Sequence, residues 1–147
     1  MEPIVPLISS SVSGPLGATH LPRLWLKILL HALGRLPEGY RHGEGGFDGM
    51  TIEGLGIDPD AFVAFIERER PSYLACEAWV RAHATKVDAT SIAAHNERIL
   101  TREKPADAAA EARRYIGLPD DSITRSIPLN DLDDWTLVHE RLTAKDG

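Results

Sequence analysis

The sequence predicts an all-α fold: a single compact domain of about six helices packed around a central apolar helix near residues 21–34. Apolar residues recur at helical spacing in several segments, and capping residues, prolines and glycines bound those segments where helices should begin and end. No stretch alternates apolar and polar residues over a convincing length; residues 122–129 are the one weak strand candidate. The 147 residues are 43% hydrophobic and 26% charged, enough for one sizeable core and unlike the composition of a disordered chain. We read residues 1–20 as an irregular N-terminal lead and 21–147 as the helical domain, with no repeat and no second boundary.

The lead carries Pro3, Pro6, Pro15, Gly14 and four serines, a composition that disfavours regular structure and lets the segment drape over a core. The first helix starts near Leu21, with Pro22 suited to its first turn and Gly34 as terminator. Leu21, Leu24, Trp25, Ile28, Leu29, Ala32 and Leu33 follow helical spacing, and Leu26 and Leu30 widen the stripe. Only Arg23, Lys27 and His31 form a polar strip, so this helix is buried on several sides or lies in a dimer interface. Residues 37–49 form a glycine-rich loop, followed by a short turn of helix around residues 50–55. Asp58-Pro59 caps and opens the next helix, with Phe62, Phe65 and Ile66 inward. Ser72 caps a helix in which Cys76, Trp79, Val80 and His83 share a face. A further helix over 90–102 presents Ile92, His95, Asn96 and Ile99 together. Pro105 opens a helix with Ala108, Ala112, Tyr115 and Ile116 inward, ended by Gly117. The last helix takes Asp131 as N-cap and places Leu132, Trp135, His139 and Leu142 on one face.

The formal net charge is −6, which repels phosphate backbones and argues against nucleic acid as a partner. The single cysteine, Cys76, cannot close an internal disulfide. The first residues lack the basic and apolar regions of a secretory signal. The most apolar stretch, residues 24–33, is short and interrupted by Lys27 and His31, so no membrane span is expected. A cytoplasmic, bacterial protein is the expectation.

Candidate chemistry sits where polar side chains fall among apolar ones. His95 and Asn96 point into an apolar face and need partners there, because an unpaired buried polar group costs on the order of 1–3 kcal/mol. They either fix a neighbouring loop backbone or line a cavity. Arg23, beside His20, either belongs to a solvated strip paired with the acidic residues 131–134 or anchors a carboxylate or phosphate. The loop Gly43-Glu-Gly-Gly46 lacks the Gly-Lys-Ser/Thr ending of a phosphate loop. It reads as a lid or connector with Tyr40, His42 and Asp48 at its border, and His42 with Asp48 is a candidate acid–base pair. His83, His95 and His139 sit on apolar stripes of three helices, yet no spacing motif supports a metal site. Cys76 and the tryptophans read as core, with Trp79 a candidate pocket wall.

The segments His20-Leu-Pro-Arg-Leu-Trp-Leu-Lys27, Gly34-Arg-Leu-Pro-Glu-Gly-Tyr40 and Leu55-Gly-Ile57 resemble a bacterial family known only as domain of unknown function 5069. Trp79-Val80-Arg81, Asn96 within a helix and the acidic run Leu129-Asn-Asp-Leu-Asp-Asp134 extend the similarity to roughly residues 14–134. The resemblance implies a compact helical domain without an assigned activity.

The function expected from the residues is a binding or interaction module. It would hold a small hydrophobic or anionic ligand, or a protein partner, in a mostly apolar pocket lined by His20, Arg23, Tyr40, Asp48, Trp79, His95 and Asn96. A homodimer through the first helix would cover its excess apolar surface. The alternative is a small enzyme needing no cofactor, an isomerase, cyclase or lyase, with His95 or His42 as general base and Arg23 stabilising an anion. No metal or organic cofactor is expected.

Overall fold

A computed structural model describes residues 2–118 and 121–144. Among them are seven α-helices: α1 (Leu21–Ala32), α2 (Gly46–Leu55), α3 (Pro59–Glu69), α4 (Tyr73–His83), α5 (Ala89–Thr101), α6 (Ala106–Ile116) and α7 (Ser126–Thr143). The all-α expectation holds. The chain divides into two compact units, residues 1–100 and 101–147, where the sequence shows no boundary.

In the first unit α1 is central, packing against α3 and α4. Leu21, Leu24 and Ile28 of α1 meet Phe62 and Ile66 of α3 and Cys76 and Val80 of α4 in one buried cluster. Fully burying a side chain of this size stabilises by roughly 1.5–3 kcal/mol, so the three-helix contact is the main source of cohesion. The local signals behind α3 and α4 act as expected. Asp58 accepts from the backbone N–H groups of Asp60 and Ala61, and Ser72 Oγ accepts from Ala75. Each satisfies donors that the first helical turn leaves unpaired.

Helix α2 begins at Gly46, four residues before the turn expected around Met50. Phe47 is buried, and Asp48 in the first turn complements the positive end of the helix dipole.

In the second unit α6 ends at Gly117 as expected, in the left-handed conformation. Its buried residue is Ala109 rather than Ala108, and Tyr115 is exposed. Helix α7 begins at Ser126, so Asp131 lies inside it and is not its N-cap. Pro128 fits the first turn, where its missing N–H would be unpaired anyway. The strand candidate at 122–129 reduces to an isolated bridge between Glu103 and Arg125.

The N-terminal lead is irregular in conformation and closely held. Ile4 N–H donates to Arg35 O, and His20 N–H donates to Val12 O. Residues 9–20 form a strap, and its last residue, His20, is the N-cap of α1 in the left-handed region at φ 72°. A residue with a β-carbon pays roughly 1–2 kcal/mol to sit there, so other contacts must hold His20 in place.

Candidate functional site

Those contacts converge on Asp48. His20 Nε2 lies 2.6 Å from Asp48 Oδ1, and His20 Nδ1 lies 2.8 Å from Ser10 Oγ. Lys27 Nζ stands 3.1 Å from Oδ1 and 3.0 Å from Oδ2. The Gly43 N–H donates to Oδ2 at 3.0 Å. Ser10, His20, Lys27 and Asp48 are all buried. Four elements therefore meet on one carboxylate: the strap, α1, the glycine-rich loop and α2.

The electrostatics fix the protonation states. Burial pushes the Asp48 carboxyl up, but the His20 hydrogen bond and the Lys27 charge outweigh it and hold the group below the usual carboxylate range. Burial lowers Lys27 against the pull of Asp48. Burial also brings His20 down to about 4, opposed by Asp48 and assisted by Lys27 and Arg23. At neutral pH, Asp48 is an anion and His20 a neutral ring. An anion only accepts, so His20 Nε2–H donates to Asp48, and Nδ1 accepts from the Ser10 hydroxyl. Arg23 stands alongside, buried, with Nη1 donating to the backbone carbonyls of Pro6 and Ile8. The polar strip of α1 is thus turned inward at Arg23 and Lys27.

A second polar group holds residues 17–19 of the strap, immediately before His20. Asn96 Oδ1 accepts from Thr19 N at 2.9 Å and Thr19 Oγ1 at 3.0 Å, while its Nδ2 donates to Gly17 O at 2.8 Å. His95 Nε2 lies 2.9 Å from Thr19 O. A carbonyl only accepts, so Nε2 carries the proton and Nδ1 presents a bare lone pair. Burial lowers the His95 ring below its ordinary value. Helix α2 lies close against it: a β-carbon on Gly54 would stand 2.9 Å from His95 Nδ1. Among the described residues, two buried side-chain atoms lack a hydrogen-bond partner, His95 Nδ1 and Thr51 Oγ1. They belong to α5 and α2, and Thr51 is one turn before Gly54.

The expected site residues thus fall into separate groups. His20 and Asp48 come together directly, with Arg23 near. His95 and Asn96 clamp the strap backbone. His42 stacks on His31 with ring centroids 3.6 Å apart, while the Asp48 carboxylate is taken by His20, Lys27 and Gly43. Tyr40 is half-buried on the same loop. Trp79 stacks on Phe65 and His83 and contacts Phe62. His83 and His139 are exposed, and no group of three metal-ligating side chains occurs among the described residues. Cys76 is buried, and burial followed by the nearby Glu77 charge pushes its thiol up to about 12. Ser10 and the pairing of Lys27 escape the sequence reading, because each depends on a partner distant in the chain; Thr51 escapes it because nothing local marks its hydroxyl as buried without a partner.

The second unit carries a different feature. Trp135 and Leu142 of α7 are 60% and 80% exposed and lie seven residues apart, on one helical face with His139 between them. No helix among the described residues is long and apolar enough to cross a membrane.

The sequence matches no curated protein. The family model described as Domain of unknown function (DUF5069) matches residues 8–136, a span containing the strap, the Asp48 cluster and the His95–Asn96 clamp, and the chain belongs to that family.

Proposed function

We propose that the protein is an interaction module that docks the exposed apolar stripe of α7 into a groove on a protein partner. The exposure of Trp135 and Leu142 carries this reading. Apolar anchors at helical spacing are the signature of a helix laid into a hydrophobic groove, and a tryptophan gives such a contact much of its energy. Asp131 lies one turn before Trp135 on the same face of α7, so the matching groove is apolar with a basic group at that end. The apolar face of α1 is covered within its own unit, which moves the proposed docking surface from the first helix to the last. His20, Arg23, Lys27, Asp48 and Asn96 are engaged with one another and with main chain, which favours a scaffolding role for them. Native mass spectrometry of protein purified from its own host tests the reading, with Trp135→Asp/Leu142→Asp as control. A stoichiometric protein partner present with the native chain and lost from the control supports it. A partner retained by the control refutes it. So does a co-purifying small molecule in place of a protein, which would favour a ligand site beside Thr51 and His95.

One observation favours the enzymatic alternative. Ser10, His20 and Asp48 stand in the order nucleophile, base and orienting carboxylate, at hydrogen-bond distances. Against it, Lys27 already neutralises Asp48, and a ring brought to about 4 is a weak base at neutral pH. Covalent labelling of Ser10 by a fluorophosphonate at pH 7, abolished in His20→Ala, would establish the enzymatic reading; an unlabelled Ser10 would remove it.

A further inference from the structure

We propose that residues 9–20 form an acid-released strap, fastened to the helices by two buried, uncharged imidazoles that take up protons more readily once it opens. His20 fastens the strap to itself and to α2, between Ser10 and Asp48. His95 fastens it to α5 through Thr19 O. Both rings are fully buried.

Protonation in place is unfavourable at each ring, for different reasons. A proton on His95 Nδ1 finds no acceptor. The atom has no partner among the described residues, Gly54 of α2 lies close against it, and Arg98 of its own helix adds a repelling charge. A buried charged donor left unpaired is far costlier than a neutral one. At His20 the hydrogen bonds survive, because the Ser10 hydroxyl can turn and accept. The charge balance does not: a cationic ring would face one anion, Asp48 of α2, and two cations, Lys27 and Arg23 of α1, in a dry site. Lifting the strap lets water reach both rings and relieves both conflicts.

The sign follows from linkage. Both rings titrate below their ordinary value while the strap is closed. Their contribution to closure is therefore complete above about pH 6.5 and declines as the pH falls below it. For His20, lowered from 6.5 to about 4, the equilibrium moves toward the open strap by on the order of 20-fold between pH 7 and pH 5. His95 acts in the same direction. Asp48 is held below the usual carboxylate range and stays ionised in this window, so the histidines act first.

Hydrogen exchange of the backbone amides of Val12, Thr19 and His20, which donate within the strap or to Asn96, measures closure. After correction for intrinsic exchange, their protection should fall at least tenfold from pH 7 to pH 5 and recover on return. Amides in the middle of α3 and α4 should keep theirs. His95→Gln retains a donor for Thr19 O without a titrating group, and should reduce the pH response. NMR of the imidazole nitrogens gives a readout that needs no variant: while the strap is protected, the His20 ring should remain neutral at pH 6 and the His95 ring should titrate below its ordinary value. Strap protection independent of pH, loss shared equally by α3 and α4, or a ring that charges near pH 6.5 with the strap still closed would each overturn the proposal.

Discussion

Replacing Asp48 by Asn tests whether the four-element junction behaves as a buried ion pair or as a collection of ordinary hydrogen bonds. Asp48 accepts from His20, Lys27 and the Gly43 N–H and has no exposed surface. Asn keeps the shape but turns one acceptor oxygen into a donor, and it leaves the Lys27 charge without a counterion. Breaking a buried pair from one side costs about 3–5 kcal/mol, a large share of the roughly 5–15 kcal/mol that holds a domain of this size together. Lys27→Met removes the cation but leaves Asp48 its two neutral donors, and should cost about 1.5–3 kcal/mol, the range for a hydrogen bond to a charged group. In the double variant neither uncompensated charge exists. Its loss should fall short of the sum of the two single losses by at least about 1 kcal/mol. Urea unfolding of the four proteins at pH 7, analysed with a common slope, gives each term. Additivity within about 0.5 kcal/mol, or a loss below about 1 kcal/mol for Asp48→Asn, would show the pair to be energetically like a solvent-screened one and would refute the reasoning.

Asn96→Ala removes three hydrogen bonds to the backbone and side chain of residues 17–19; thermal or urea unfolding should report a loss of about 2–3 kcal/mol. Gly54→Ala should also destabilise, by about 1–2 kcal/mol in urea, although alanine is the better helix former by roughly 1 kcal/mol. The new β-carbon would meet His95 Nδ1 at 2.9 Å and Arg98 Nη2 at 3.0 Å, displacing the ring from Thr19. A more stable variant would contradict that packing. Cys76 should resist iodoacetamide in native protein at pH 7, since a thiol raised to about 12 leaves on the order of 10⁻⁵ as thiolate; labelling should begin only with denaturant, as followed by mass spectrometry.

The helices were legible wherever local chemistry fixes their ends. Asp58, Ser72 and Gly117 sit at the expected boundaries because capping is settled within a few residues. Helix α7 began earlier than Asp131 because Pro128, a breaker in mid-helix, is harmless in a first turn. Helix α2 began earlier because glycines at 45 and 46 suggest a loop unless the burial of Phe47 is known. The site was legible only in part. Periodicity turned His95 and Asn96 inward, and the structure places them against the strap. The same periodicity put Arg23 and Lys27 on a polar strip, which local spacing reads as facing water. Their partners lie in the N-terminal lead, at Pro6 and Ile8, and in α2, and no spacing rule reaches that far. Gly54 carried no signal at all, since its role is the space it leaves beside His95.

The bonds between Asn96 and the strap join residues 77 and 79 positions apart. Contacts of such separation bring their gain only after a long loop has closed, so they form late and slowly. The strap leaves the ribosome ahead of every helix it contacts, and its clamp does not exist until α5 has been made and folded. During synthesis its own hydrophobic residues, Leu16 and Ala18 among them, are then the ones a chaperone or a neighbouring nascent chain would meet for longest.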